Sequence, residues 1–516
     1  MHFYTGQNRP AFSWRALGWA ILYFCFFSTL LQVIIFSSGY SGTNGIRDSL
    51  LFSSLWLIPV FLFPERIKII AAVVGIILWA TSLAAFCYYF IYGHEFSQSV
   101  LFVMFETNAK EAGEYFSQYF SLKLLFISLV YTTVSVFLWT RLRPVYIPSP
   151  WRGGGSFLLL YALLLHPVVL KSLIRQEPLN DTLGALASRM EPAAPWQFVS
   201  AYYQYHQRLS ALTTLLNENS SLPPLGNLRD ESGDGPRTLV LVIGESTQRE
   251  RMSLYGYPRK TTPELDALHK TDPNLTVFNN VVASRPYTIE ALQQVLTFAN
   301  EENPDLYLTQ PSLMNMMKQA GYKTFWITNQ QTITARNTML TVFARQTDRQ
   351  YYMNQQRTQS AREYDTNVLK PFREVLNDPA PKKLIIIHLL GTHIKYKYRY
   401  PEGQGRFDGI TGHVPSGLTA KELEVYNDYD NANLFNDHVV VSLIKDFRAT
   451  SPDGFLLYFS DHGEEVYDTP PHKTQGRNED NPTRPMYTVP FLLWTSEKWQ
   501  TAHPRDFSQY VDRKYS

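Results

Sequence analysis

Five runs of apolar residues, approximately 16–38, 48–64, 69–92, 122–140 and 155–172, crowd the first third of the chain; after about residue 170 they give way to charge and turn residues. A helix needs about 20 predominantly apolar residues to cross a bilayer, with about 17 tolerated. The first, third and fourth runs reach this length. The second is short and carries Pro59, and the fifth holds His166 and Pro167. A buried core helix is the competing reading for these two, and their long apolar neighbours favour spanning. Arg9 and Arg15 precede the first run, Arg66 and Lys68 separate the second from the third, and Arg141, Arg143 and Arg152 separate the fourth from the fifth. The alternate loops hold few basic residues. This asymmetry places the N-terminus in the cytoplasm, and five crossings export everything after about residue 173. The first run is too long for the apolar region of a signal peptide, and more spans follow it.

Beyond the spans, 106–121 mixes charge with aromatics, and 192–219 carries Trp196, Phe198, Tyr202, Tyr203 and Tyr205. Both suit the headgroup layer, with a plain linker helix as the alternative. Residues 220–237 are rich in Pro, Gly, Ser and charge and read as a boundary. The expected organisation is a membrane domain at 1–173, interfacial helices and linker at 174–237, and an exported domain at 238–516.

In that last part β-branched apolar runs at 238–244, 323–328, 384–390, 455–460 and 487–494 alternate with helical patterns at 311–320, 360–376 and 420–448. The alternation predicts a mostly parallel sheet covered by helices on both faces. Composition narrows the picture further. A net charge of +2 argues against a nucleic-acid binder working through bulk charge. With 45% hydrophobic and 14% aromatic residues the chain is not disordered. Its two cysteines, Cys25 and Cys87, both fall in apolar runs, so the exported part has no disulfide framework.

Chemistry in such sheets gathers beyond the carboxyl ends of the strands. Three predicted strand ends carry acids or histidines: Glu245 with Ser246 and Thr247, His388 leading to His393, and Asp461-His462. Adjacent carboxylate and imidazole groups can reach one ion from a turn, and with Glu245 they make a mixed nitrogen and oxygen set suited to zinc. Taken alone, the Asp-His pair reads more readily as a helix cap beside a surface histidine, and it is the companion acid Glu245 that turns the reading toward a metal. Thr288 opens a helical pattern running to about residue 301, where free N–H groups favour an anion; on spacing alone it is equally a helix cap. Ser246, Thr247 and Ser284 are competing hydroxyls.

The strings VLVIGEST, SRPYTIE, HLLGTH and FSDHGEE, in this order, resemble the membrane-bound phosphoethanolamine transferases, a sulfatase-like branch of the alkaline phosphatase superfamily. Around YGYPRKTTPELDAL and HKTQGRNEDNPTR the likeness is closest to the branch that decorates the heptose region of lipopolysaccharide core. The resemblance implies five transmembrane helices followed by a periplasmic α/β/α domain, anchored in the inner membrane of a Gram-negative bacterium. It implies zinc held by Glu245, Thr288, Asp461 and His462, one site with a second possible, and Thr288 as nucleophile. His393 and His472 match histidines that hold the phosphate or a second metal, and His388 reads as structural within its strand. The implied reaction is a double displacement. Thr288 attacks the phosphorus of phosphatidylethanolamine, diacylglycerol leaves, and an acceptor on the lipopolysaccharide core then takes the group. Lipid A, a periplasmic glucan or a phosphoglycerol donor fits the same chemistry.

Several relatives bear periplasmic disulfides that are missing here, so core packing and metal must stabilise this domain. The family also continues past the position of Ser516 with a helix and final strands, which implies a truncated C-terminal end. A periplasmic sulfatase or phosphatase is the rival enzyme, but Ser284-Arg285-Pro286-Tyr287 departs from the order sulfatases use. A non-enzymatic membrane scaffold is the third class. Within 393–400, Lys395, Lys397 and Arg399 alternate with tyrosines and would share one face of a strand, facing the acceptor or the membrane; a solvated edge strand is the alternative.

Overall fold

The computed structural model describes residues 12–504 apart from 39–42, 94, 97–99, 102–103, 106, 108–111, 114, 117–118, 171–178, 219–224, 231–232, 234, 332–337, 355–361, 411, 413 and 480. The chain divides into two compact units, one of Met1–Phe102 with Gln118–His206, the other of Val103–Ser117 with Gln207–Ser516.

In the first unit four helices are long and apolar enough to cross a membrane: Trp14–Ser37, Asn44–Leu62, Pro64–Tyr92 and Leu122–Arg141. Pro59 lies in the first turn that follows the 3-10 segment Ser54–Trp56, where its missing N–H does least harm. The fifth apolar helix, Trp151–Leu165, is shorter. Its last turn, Tyr161–Leu165, widens into a π-helix just before Pro167, a local adjustment to a residue that cannot donate to the helix ladder. The end of the fifth predicted run, and much of 106–121, lie outside the described residues.

Close approach and hydroxyl pairing hold these helices together. A Cβ on Gly75 would stand 1.8 Å from Tyr23 Oη, and that hydroxyl donates to the Ala71 carbonyl at 2.7 Å. Tyr131 Oη meets Ser82 Oγ at 2.7 Å, and Trp79 Nε1 donates to Thr132 Oγ1 at 3.0 Å. Such contacts are the usual glue where helix exteriors are as apolar as lipid. Ile69, Val73, Ile76, Phe126 and Leu129 stay exposed on the outside. Cys25 and Cys87 are free.

The second unit is built on a seven-stranded sheet, order β2-β9-β6-β1-β5-β3-β4. The strands are β1 (Arg237–Gly244), β2 (Leu275–Val277), β3 (Lys323–Gln331), β4 (Arg349–Asn354), β5 (Lys382–His388), β6 (Gly454–Ser460) and β9 (Phe491–Thr495); β7 (Glu465–Val466) and β8 (Gln475–Gly476) form a separate ribbon. Strands β6, β1, β5, β3 and β4 run parallel, with β4 at one edge, and β9 pairs antiparallel with both β6 and β2. Alternate residues feed two cores. Val240, Val242, Ile385 and Ile387 pack with Val440, Ile444 and Phe447 of the Ala420–Ala449 helix. Ile243, Leu384 and Ile386 pack with Leu292, Leu296 and Phe343 on the other side. The predicted doubly covered, mostly parallel sheet is therefore what forms.

Three expectations are corrected. The helix opened by Thr288 ends at Val295, not near 301, because the Leu296 carbonyl accepts from Leu313 N (2.9 Å) instead of continuing the ladder. The last strand begins at Phe491 rather than 487, as Pro490 cannot donate to a ladder. Residues 393–400 are not a strand. Tyr396–Tyr398 is a 3-10 turn, and Arg399 and Tyr396 are buried while Lys397 is exposed. The three bases therefore share no face.

The turn after β5 is pressed against the loop after β1. Gly391 has φ +54°, and a Cβ there would lie 2.6 Å from the Glu245 carbonyl oxygen and 2.8 Å from its N. Gly391→Ala is expected to cost on the order of 1–3 kcal/mol from strain and displacement, read as a lowered thermal midpoint of the full chain in detergent. An unchanged midpoint would show that the two loops are not rigidly packed.

Candidate functional site

Register brings the chemistry together. Ile243 lies opposite His388 across β1 and β5, and Gly244 lies opposite Ser460 across β1 and β6. The residues following these three strands therefore emerge side by side at the carboxyl edge. Asp461 N donates to the Gly244 carbonyl (3.1 Å) and Leu389 N to that of Ile243 (2.9 Å), locking the loops level.

Glu245, Asp461 and His462 are almost wholly buried there, with Thr288 at 8% exposure. Thr288 Oγ1 donates to Glu245 Oε2 at 2.9 Å and lies 3.2 Å from His462 Nε2. The same Nε2 stands 3.0 Å from Glu245 Oε1 and 3.4 Å from Asp461 Oδ2. His462 Nδ1 is 2.8 Å from the Gly463 carbonyl, which makes Nδ1 the donor and turns the Nε2 lone pair inward. Nε2, two carboxylates and a hydroxyl oxygen thus converge. Asp461 Oδ2 is buried without a hydrogen-bond partner. Such a cluster of acceptors calls for a cation.

The electrostatics agree. Burial works to raise Glu245, but His462, His393 and Arg477 hold it well below the usual carboxylate range. Burial and the charge of Glu245 push Asp461 up. Without a cation, the two acids cannot both be comfortably ionised at this distance.

Thr288 is the first residue of its helix, and Tyr287 is the cap. The capping alternative is therefore set aside, since its hydroxyl is committed to Glu245 and His462. Ser246 Oγ contacts Glu245 Oε1 (2.9 Å), Thr247 Oγ1 bonds the Glu245 carbonyl and Thr392, and Ser284 is exposed. Among these hydroxyls only that of Thr288 meets both Glu245 and His462. His393 is buried and close enough to act on Glu245; its Nδ1 lies 3.0 Å from the Ile394 carbonyl. His472, half-buried with φ +62°, holds the Tyr467 carbonyl through Nδ1 at 2.9 Å. No contact among the described residues joins it to the cluster.

Three further residues belong here. His388, read as structural, is fully buried with neither ring nitrogen hydrogen-bonded. Its ligand atom and those of Glu245 and Asp461 lie within 4.8 Å of one another. Burial holds it down to about 4, so its imidazole is neutral and competent to bind metal. Arg477 brings Nη1 to 2.5 Å from His462 Nε2 and 3.7 Å from Glu245 Oε1, with Nε 3.5 Å from Glu464 Oε2. Gln330 Nε2 donates to Glu245 Oε2 at 3.3 Å. Gln330 stands in a stretch with no motif of its own, so only the fold reveals it; Arg477 lies within the HKTQGRNEDNPTR string, and His388 is an imidazole at a strand end, but neither signal assigns a role to its residue.

Residues 237–516 match the family model described as Sulfatase. Over 516 residues the chain is 81% identical to phosphoethanolamine transferase EptC of Escherichia coli K12, covering 100% of this chain and 89% of that one. The chain belongs to the phosphoethanolamine transferases. A Salmonella typhimurium LT2 relative, phosphoethanolamine transferase CptA, is 77% identical over 510 residues, 99% of this chain and 88% of the other. The C-terminal periplasmic domain of the Escherichia coli EptC, solved in complex with Zn, matches with a TM-score of 0.56 and 88% identity, over 57% of this chain and 83% of that one. The integral membrane transferase EptA of Neisseria meningitidis shares the fold at a TM-score of 0.61 and 17% identity, over 95% and 90% of the two chains. High identity to transferases disposes of the rival hydrolase and scaffold readings. The transferase's orphaned Asp461 oxygen and neutral His388, beside Glu245 and His462, fit zinc in donor type.

Replacing Asp461 or His462 by Ala should remove zinc, measured as metal content of the purified full chain; stoichiometric zinc in the double variant would reject these ligands. Because Asp461 holds its proton more tightly than an ordinary carboxylate, zinc must displace that proton. Affinity should therefore rise with pH, by up to about tenfold per unit while one proton is released. Calorimetry in two buffers of different ionisation enthalpy should detect that proton, and pH-independent binding would refute the linkage.

Proposed function

We propose that this transferase moves phosphoethanolamine from phosphatidylethanolamine to a heptose or heptose phosphate of lipopolysaccharide core, with Thr288 carrying the group between them. The observation that carries the reading is the double commitment of the Thr288 hydroxyl to Glu245 and His462. The hydrogen bond to Glu245 Oε2 marks the path along which the hydroxyl proton leaves as Thr288 Oγ1 attacks phosphorus. Diacylglycerol departs with the bonding pair of the broken P–O bond and takes up a proton. The acceptor oxygen then attacks the phosphothreonine, and Thr288 recovers its proton. Zinc bound among Glu245, Thr288, Asp461 and His462 would supply the positive charge that eases loss of the Thr288 proton and draws in phosphate.

The chain's own residues do the rest. The open N–H groups at the start of the Thr288–Val295 helix favour the phosphoryl oxygens. His393, with Nδ1 against the Ile394 carbonyl and close enough to act on Glu245, is the histidine suited to stabilise those oxygens or protonate the leaving one; for His472, whose Nδ1 holds the Tyr467 carbonyl, the same role rests on the motif likeness. Arg477 adds a cation that can move from His462 to a phosphoryl oxygen.

The arginine and lysine distribution supports five spans in the inner membrane with the second unit in the periplasm, as does the periplasmic placement of the 88% identical domain. A reporter fused near residue 230 should be active only where exported proteins are; a cytoplasmic signal would overturn this topology.

Thr288→Ala should abolish transfer, a loss of more than about a thousandfold, while leaving the fold intact by circular dichroism. Trapped enzyme should carry phosphoethanolamine on the peptide holding residue 288. An adduct on Ser246, Thr247 or Ser284, or near-normal transfer by the variant, would sink the assignment. Mass spectrometry of lipopolysaccharide from cells with and without the gene should show the mass of phosphoethanolamine on the core heptose region, and its placement on lipid A would refute the acceptor.

A further inference from the structure

A cavity of ≈ 620 Å³ lies in the second unit between the turn after His393, the loop that follows it and the first turns of the Ala420–Ala449 helix. That volume is within the roughly 300–1,000 Å³ usual for small-ligand sites. Glu424 and Asp428, four residues apart on one helix face, meet Lys397, Tyr398, Tyr400 and Phe407 around it. The far wall is built in advance. Asn431 accepts from Arg406 N (2.7 Å) and Phe407 N (2.9 Å) and donates to the Phe407 carbonyl (2.9 Å). A Cβ on Gly405 would stand 3.0 Å from Asn431 Nδ2, so the loop is held against the helix.

The lining selects a ligand class. Its carboxylates outnumber its cations, and Arg362 is already paired with Glu402 at 2.5 Å. A polyphosphate is therefore a poor fit. Among the described residues Asp428 accepts one hydrogen bond, from Tyr400 Oη at 2.7 Å, which leaves most of its acceptor capacity open. Vicinal hydroxyls satisfy such a carboxylate, and aromatic faces stack on the C–H face of a sugar ring. An ethanolammonium group would also be attracted, but it would fill little of the space.

The elements that line the cavity also touch the loops of the polar cluster. Asp428 faces it, while the next residue, Tyr429, donates to the Ser246 carbonyl (2.7 Å) and accepts from Gln248 N (3.0 Å). Tyr396, at the other side, reaches Glu464 Oε1 at 3.3 Å. The rings of Tyr396 and Tyr429 meet edge to face at 5.0 Å. Tyr396 and Tyr429, each next in sequence to a residue of the cavity wall, thus tie that wall to the loops that carry Glu245 and His462.

We propose that this cavity binds sugar rings of the glycan acceptor, and so fixes which of its oxygens reaches Thr288. The proposal rests on the lipopolysaccharide-core reading above. Of the bases singled out in the sequence, only Lys397 would then bear on acceptor use.

The test separates the two half-reactions in the full chain. Without acceptor, diacylglycerol release and charging of Thr288 report the donor step; with heptose-containing lipopolysaccharide core, the KM for that core reports the cavity. Asp428→Asn and Tyr398→Ala should each raise the KM roughly tenfold or more, leaving donor charging within about twofold of wild type. An unchanged KM overturns the proposal. So does a parallel loss of donor charging, which would make the cavity an ammonium headgroup site. Should either variant fold poorly, hydrogen exchange of the wild-type chain decides: core oligosaccharide should slow exchange over 398–408 and 424–431, and no protection there refutes the cavity. Wild-type enzyme that charges Thr288 but leaves the core unmodified would instead refute the acceptor reading.

Discussion

The level ending of three parallel strands is the constraint on which the rest of this molecule depends. β1 lies between β5 and β6 with Ile243 level with His388 and Gly244 level with Ser460, so the three strands finish within one residue of one another. A slip of one residue in either pairing would turn every side chain to the other face. It would also move Asp461 or His388 away from Glu245. The hydrophobic register of the two cores therefore doubles as the positioning device for the polar cluster. Core packing and site geometry are one problem here, because the same hydrogen bonds from Leu389 and Asp461 back to β1 serve both.

A second device braces the loop after β1 from the side. Arg251, fully buried, pairs with Asp430 at 2.8 Å and Asp468 at 3.0 Å, and its guanidinium lies 3.5 Å from the centroid of the Tyr426 ring. Arg259 reaches the same Asp430 at 2.8 Å. The charges tie the loop to the long helix and to the ribbon that follows His462. Breaking such a buried pair costs about 3–5 kcal/mol, since it strands a charge. Its contribution is to fix relative placement, because an apolar replacement could match its stability.

The parts legible in the sequence are those that follow from periodicity and from residue type at strand ends. Continuous β-branched runs marked β1, β3, β5 and β6, and the acids and histidines after them marked the edge where chemistry sits. β2 and β4 escaped because three residues and the string RQYYMN carry no apolar run; they are edge strands, and their pairing is a tertiary choice. Alternation misled at 393–400, where a 3-10 turn buries Tyr396 and Arg399 together. His388 sat in an apolar strand and read as packing, yet its unpaired nitrogens face the acids. Arg477 follows His462 by fifteen residues of loop and ribbon, a separation that no local pattern can fold.

Both cysteines lie in helices of the first unit, Cys25 in Trp14–Ser37 and Cys87 in Pro64–Tyr92, so the unit bearing Glu245 and Thr288 is thiol-free throughout these 516 residues. Across these residues its packing therefore involves no thiol chemistry. It has no pairing to be scrambled by an isomerase, no cross-link for a reductant to open, and no sulfur beyond methionine for an oxidant to attack. Within these residues the unit rests on packed apolar clusters and on buried ion pairs such as Arg251–Asp430, with no cross-link between them.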